Sequence, residues 1–376
     1  MKHKTLPIAI VFVSVLTIAS PIARAQKYSI TDLGSLSPAA INIWGQIVGT
    51  NSGHAFMWTR FGGLRDLGIL PGGTFSTAAA INDLGVVTGT ADGPGTVAPE
   101  GQQCSDLTQP FVWTQKNGMQ GLGTISLPEE SNACDVPFYA KSINVPGEVV
   151  GYDGIYTNDW QFGFLWTSSD GMTRYGDSFP PTFANAISNT GQIVGENSDN
   201  APFSHATAWK DGVATDLGSL GGGPNVLDYA SSANGINDQG QIVGWSTTAP
   251  ISNWFFGWCG TATHAVLWSA RGGIRDLGTL PGDTLSAASN ITFFGQIIGS
   301  SGNTATCDFG VSPYEVFGRP FIWTNRRGMQ DLNTLISANS GWVLNSAVDI
   351  NIWGQIIGQG TLNGQPHGFL LTPKRF

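Results

Sequence analysis

The sequence predicts an all-β chain: a seven-bladed β-propeller with four antiparallel strands per blade. Three observations lead there. A segment approximating Ile-Asn-x-x-Gly-Gln-Ile-Val-Gly begins at Ile41, Ile81, Ile143, Ile187, Ile236, Ile291 and Ile350. A segment approximating His-Ala-Phe-Leu-Trp follows every copy, and Asp-Leu-Gly-x-Leu recurs at Asp32, Asp66, Asp216, Asp276 and Asp331. The order of these pieces is split between the two ends of the chain, as expected of a ring that closes on itself.

In chain order, Lys2 and Lys4 precede an apolar run from Ile8 to Ile18, and Ala23-Arg24-Ala25 follows as a small-x-small cleavage site. That order reads as a secretory signal peptide over residues 1–25, with residues 26–376 forming one domain in the periplasm or outside the cell. Loss of the three cations in residues 1–25 takes the formal charge from −9 to −12. This argues against nucleic acid and against anionic membrane surfaces. Charged residues make up only 11% of the chain while Gly numbers 51, a composition suited to short buried strands joined by tight turns.

Each unit then reads as four strands. A small-residue segment such as Ser286–Ile291 is the first and innermost. Asn-x-x-Gly makes a turn in which Gly supplies a backbone conformation that other residues avoid. Gln-Ile-Val-Gly is the second strand and His-Ala-Phe-Leu-Trp the third; after a turn such as Arg271-Gly272-Gly273 the fourth runs over Ile274–Leu280. The chain starts with a fourth strand that lacks its first three and ends with a third, His367–Leu371, that lacks its fourth. Tyr28–Leu36 is therefore expected to complete the last blade and remove both open edges.

The joint pattern His-Ala-Phe-x-Trp, Asp-Leu-Gly-x-Leu and Ile-Asn-x-x-Gly-Gln-Ile-Val-Gly resembles the HAF-repeat family of secreted bacterial proteins, over essentially all of residues 26–376. The resemblance implies tandem repeats and an extracytoplasmic location, and it carries over no catalytic residues. Blade 4 departs from the pattern with Ser188 and His205-Ala-Thr-Ala-Trp209, and the last blade has Leu371 at the Trp position.

Candidates for chemistry are few. His54, His205, His264 and His367 share one repeat position, so a ring spreads them apart; a hydrogen bond from the third strand to its neighbour is the expected role. The recurring Asp residues are read the same way, and the six Trp residues closing third strands as core. The channel-lining first strands carry charge only at Lys141 and Asp349. Paired titratable groups for acid–base work, or several ligands for a metal, are not evident there, and no metal or cofactor is expected. Gly176-Asp177-Ser178 faintly resembles a hydrolase motif but has no partner His in the repeat plan. A channel hydrolase, carbohydrate-active or lactone-type, would require three or more convergent acid, His or amide groups.

The four cysteines lie outside the repeat motifs. Proximity favours disulfides Cys104–Cys134 and Cys259–Cys307 on the face of the loops between second and third strands. One of those loops carries Trp254, Phe255, Phe256 and Trp258, rigid flat surfaces for a sugar ring or a protein. On the opposite face, the paired turn residues are Ile43-Trp44, Phe293-Phe294 and Ile352-Trp353 in blades 1, 6 and 7, whereas Asp83, Asn189 and Asp238 take the first position in blades 2, 4 and 5. Ring closure makes blades 6, 7 and 1 consecutive, so these six side chains form one apolar patch. The sequence thus leads to an exported, non-catalytic binding propeller for a polysaccharide or an envelope protein. A hydrolase and a structural envelope or matrix component are the alternatives.

Overall fold

Residues 28–93, 107–125, 137–154, 162–175, 182–197, 204–221, 229–249, 262–306 and 315–374 are described by a computed structural model. They form seven four-stranded antiparallel sheets, a seven-bladed β-propeller. Blade 1 runs outward from the centre as Ser37–Ile41, Ile47–Asn51, His54–Thr59 and Gly63–Asp66. Blade 7 is completed by both ends of the chain, in the order Trp342–Ile350, Ile356–Leu362, Gln365–Pro373 and Tyr28–Asp32. Tyr28 pairs with Pro373 and Asp32 with Phe369.

That closing strand is shorter than the sequence implies. It ends at Asp32, and Leu33–Leu36 leave the sheet after two more backbone bonds, Leu33 N–H to Gly368 O and Gly368 N–H to Gly34 O. The outer strand of blade 5 likewise stops at Asp276 rather than Leu280. The reason is apolar. The two leucines of each Asp-Leu-Gly-x-Leu turn inward and plug the gap to the next blade, as Leu67 and Leu70 do between Val48 of blade 1 and Val87 and Phe111 of blade 2. The core therefore lies between blades, where facing sheets bury their Ile, Val and Phe side chains.

Every inner strand carries a β-bulge two residues before its terminal Ile, for example between Ala78 and Ala80 or Ala233 and Gly235. The bulge thrusts the preceding carbonyl toward the second strand, where only glycine fits. A Cβ on Gly89 would sit 1.9 Å from Thr77 O, and one on Gly299 2.1 Å from Ala287 O. The last residue of Gln-Ile-Val-Gly is thus dictated by the bulge opposite, not by its own backbone angles.

The motif asparagine explains the turn. Asn42 Oδ1 accepts from the N–H groups of Trp44 and Gln46, and its amide donates to Gln46 Oε1. The same amide donates to Asn82 O in the next blade. This contact repeats around the ring: Asn351 to Asn42 O at 3.0 Å, Asn82 to Asn144 O at 2.9 Å, Asn144 to Ser188 O at 3.1 Å and Asn237 to Thr292 O at 3.0 Å. Ser188 and Thr292 have side chains too short to reach across. Between blades 4 and 5 the main-chain N–H and side-chain amide of Asn189 grip Asp238 instead. Between blades 6 and 7 the Asn290 amide donates to Asp349.

The outer wall has its own ties. Arg65 of blade 1 stacks over Trp113 of blade 2 and donates to Gln115, and Arg275 of blade 5 repeats this on Trp323 and Asn325 of blade 6. Cation–π contacts of this kind are worth roughly 0.5–1 kcal/mol at exposed sites.

The close approach at the bulge sets an order of stabilities. Gly89→Ala should lower the free energy of unfolding by about 3 kcal/mol, since it drives a methyl into a backbone carbonyl. Gly118→Ala, in open space at φ +69°, should cost only about 1 kcal/mol of left-handed strain. Urea denaturation of both variants checks the ranking; equal losses would show that the close approach is not what selects glycine.

Candidate functional site

Antiparallel order brings all the Asn-x-x-Gly turns, and the turns between third and outer strands, to one end of the ring, here the lower face. The first middle residue of each Asn-x-x-Gly turn lines the lower mouth of the channel, a depression of about 250 Å³. Ile43, Phe293 and Ile352 form its apolar side; Asp83, Asn189 and Asp238 form its polar side.

The second middle residues point away from the axis into solvent. Trp44 is 73% exposed, Phe294 72% and Trp353 60%. Phe293 is 44% exposed and packs edge-on against Phe294, with ring centroids 5.5 Å apart. Ile43 and Ile352 do not share this exposure. They are half-buried, because the neighbouring backbone and the mouth cover them. The patch expected from sequence is therefore four exposed aromatic rings over two half-buried isoleucines. Leu84, at the equivalent position of the blade 2 turn, is 72% exposed and extends the arc into blade 2.

The two tryptophans are not loose. The Trp353 indole N–H donates to Ile43 O in blade 1 at 2.8 Å, and that of Trp44 to Asp83 O in blade 2 at 2.9 Å. Each ring is anchored across a blade boundary, so its one polar atom is satisfied and its apolar surface held outward.

The channel behind the mouth encloses about 260 Å³ lined by bulge residues, among them Lys141, Asn185, Asn234, Asn290 and Asp349. One acid and three amides thus converge there, which the sequence did not anticipate. Each amide is engaged with the following blade: Asn185 with Ala233 O, Asn234 with Ala288 O and Asn290 with Asp349. Lys141 lies over the Tyr152 ring at 5.4 Å. Asp349 accepts from Ile41 N–H of blade 1 at 2.8 Å and from Ile350 N–H at 2.7 Å, and so sits on the seam between the last blade and the first. Its residue retains some accessible surface, but that surface faces a narrow channel and not bulk water. Desolvation outweighs the three donors, and the carboxyl is pushed up to about 6.

The repeat histidines do what was expected of them. Nδ1 of His54, His205, His264 and His367 lies within 3.0 Å of Asp66, Asp216, Asp276 and Asp32 respectively, tying third strand to outer strand. Partial burial opposes ionisation of Asp32, but the bonds from His367 and Gly34 N–H hold its carboxyl below its ordinary value. Asp331 instead pairs with Arg319. Of the third-strand tryptophans, Trp113, Trp209, Trp268 and Trp323 are buried, whereas Trp58 and Trp166 are half-buried. Cys104, Cys134, Cys259, Cys307, the run Trp254, Phe255, Phe256 and Trp258, and Gly176-Asp177-Ser178 lie outside the described residues, as do residues 1–27.

No family model and no curated protein matches the chain. Solved structures do. Virginiamycin B lyase from Staphylococcus aureus aligns with a TM-score of 0.51 at 10% identity, over 93% of this chain and 100% of that one. An oligogalacturonate lyase in complex with manganese aligns at 0.49 and 9% identity over 94% and 95%, and the Dos1 propeller at 0.45 and 8% over 93% and 95%. At such identities the likeness concerns the fold alone. Among the described residues, no group of three or more His, Cys, Asp or Glu is placed to hold a metal ion, and no helix is long and apolar enough to cross a membrane.

Asp349 provides a pH signature. Its carboxyl takes up its proton more readily folded than unfolded, so its contribution is fully present below about pH 4 and is lost as pH rises through about 6. At neutral pH the ionised group should cost up to about 3 kcal/mol relative to its protonated form. Asp349→Asn removes the titration. Denaturation midpoints from pH 4 to 7.5 should show wild type losing stability relative to this variant as pH rises; parallel curves would count against a raised Asp349.

Proposed function

We propose that this chain is an exported, non-catalytic recognition propeller that binds a component of the cell envelope through its lower face. The observation that carries the reading is the set of large apolar side chains at consecutive turn tips in blades 6, 7, 1 and 2. A solvated polar residue would serve each turn equally well, and keeping a large side chain in water forgoes roughly 1.5–3 kcal/mol of burial. A polysaccharide or an envelope protein offers surface that would recover it. Export rests on the signal-peptide pattern of residues 1–25 and on the resemblance to HAF-repeat proteins.

The non-catalytic part of the reading is supported by what the channel groups do. The amides and Asp349 hold neighbouring blades together, and their donors and acceptors are directed at backbone and at one another. Among the described residues, Asp349 is the carboxyl that lines the channel behind the mouth, and a channel hydrolase built on them would work through it. Asp349→Asn would abolish such an activity and leave lower-face binding intact.

Two kinds of variant separate binding from stability. Phe294→Ser with Leu84→Ser removes exposed surface and should keep the thermal midpoint within about 3 °C, since exposed substitutions change stability by only about 0.5 kcal/mol. Trp44→Ser with Trp353→Ser also breaks two inter-blade hydrogen bonds and should lower the midpoint by several degrees, at roughly 1 kcal/mol per bond. Co-sedimentation with isolated envelope fractions should fall at least about tenfold for the first pair. Undiminished co-sedimentation of that pair would sink the lower face as the recognition surface.

A further inference from the structure

Although the chain as a whole is acidic, with a formal charge of −9, its cations are not evenly placed. The turns between third and outer strands carry Arg60 in blade 1, Lys116 in blade 2, Arg271 in blade 5 and Arg326 with Arg327 in blade 6; Lys374 follows the third strand of blade 7. All six are exposed on the lower face, and none of these turns contains Asp or Glu. The corresponding turns of blades 3 and 4 do, at Asp170 and Asp211. The cationic arc thus runs through blades 5, 6, 7, 1 and 2, around the arc of apolar tips. Phe61, beside Arg60 on the outer rim, is 98% exposed and adds a further blade-end apolar side chain to Phe293, Phe294, Trp353, Trp44 and Leu84.

We propose that this arc docks on an anionic lipid surface, with the apolar tips entering the interfacial layer and the Lys and Arg rim at the level of the headgroups. The inference rests on the lower face being the recognition surface and names its partner. Three features favour lipid over a polysaccharide or a protein. Aromatic tips inside a ring of Lys and Arg match the two chemical levels of a bilayer boundary. The indole N–H groups of Trp44 and Trp353 are already bonded to backbone carbonyls, so entering an apolar layer strands no donor there. The polar groups of the mouth, which a sugar would need, are engaged with neighbouring turns: Asp83 accepts from Ile43 N–H, and Asp238 accepts from the main-chain N–H and amide of Asn189. The acidity of the rest of the molecule then orients it, since other faces are repelled by the same surface.

Flotation of the purified protein with vesicles of phosphatidylcholine alone, or containing 30% phosphatidylglycerol, tests the proposal. Binding is expected to the anionic vesicles only, and to weaken as salt rises from about 50 to 300 mM, where screening shortens. Arg60→Gln, Arg271→Gln and Arg326→Gln should each weaken it roughly fivefold, and Phe61→Ser at least as much. Lys210→Gln, outside the arc and paired with Asp211, should change it little. The salt titration uses the unaltered protein, so the proposal stays testable if a variant fails to fold. Equal binding to both vesicles, or none to either, overturns the lipid assignment. Retention on envelope polysaccharide or protein without vesicle binding would overturn it too while sustaining the lower face as the recognition surface. Loss of envelope binding altogether would remove both.

Discussion

The structure depends on one side chain repeated around a ring. The motif asparagine closes its own turn by accepting from two backbone N–H groups and reaches into the next blade with its amide. A buried amide that satisfies two accepting and two donating sites is worth more than any one of those bonds, because a partial set would leave polar atoms stranded. Serine can close the turn but cannot span the gap. Where Ser188 and Thr292 occur, the chain supplies a different bridge at the same blade boundary: Asn189 to Asp238 in one case, Asn290 to Asp349 in the other. The inter-blade contact is the constraint, and the residue making it is negotiable.

The same constraint shapes the channel. Bulged inner strands turn polar side chains toward the axis, which gives Asn185, Asn234, Asn290 and Asp349 the appearance of a convergent site. Their partners lie one blade on, so convergence here is a consequence of ring assembly. Asp349 is the member with the most at stake. It joins blade 7 to blade 1 through Ile41 N–H and to blade 6 through Asn290, and it does so as a carboxyl that burial resists ionising. A buried acid at the seam is a weak stabiliser at neutral pH.

The lower face shows how a repeat fold can separate scaffold from surface. Positions that hold the blades together carry the repeated residues; the turn tips are free to vary. Trp44 and Trp353 combine both roles, since each anchors its indole on the following blade while leaving most of the ring in solvent.

Much was legible in the sequence: seven blades, four strands each, ring closure through Tyr28, and a hydrogen bond from the repeat histidines to a neighbouring strand. These follow from period and residue type, which local hydrogen bonding translates directly into structure. The sequence also placed Trp44, Phe294 and Trp353 on one arc, because turn position fixes side-chain direction. Tertiary structure alone decided the rest. The half-burial of Ile43 and Ile352 depends on a neighbouring blade tens of residues away. The inward turn of Leu33 and Leu36 is set by a gap between sheets that no strand pattern reveals. Net charge suggested an acidic molecule throughout, yet antiparallel order gathers Arg60, Lys116, Arg271 and Arg326 at one end of the ring. Charge summed along a chain has no direction; a fold gives it one.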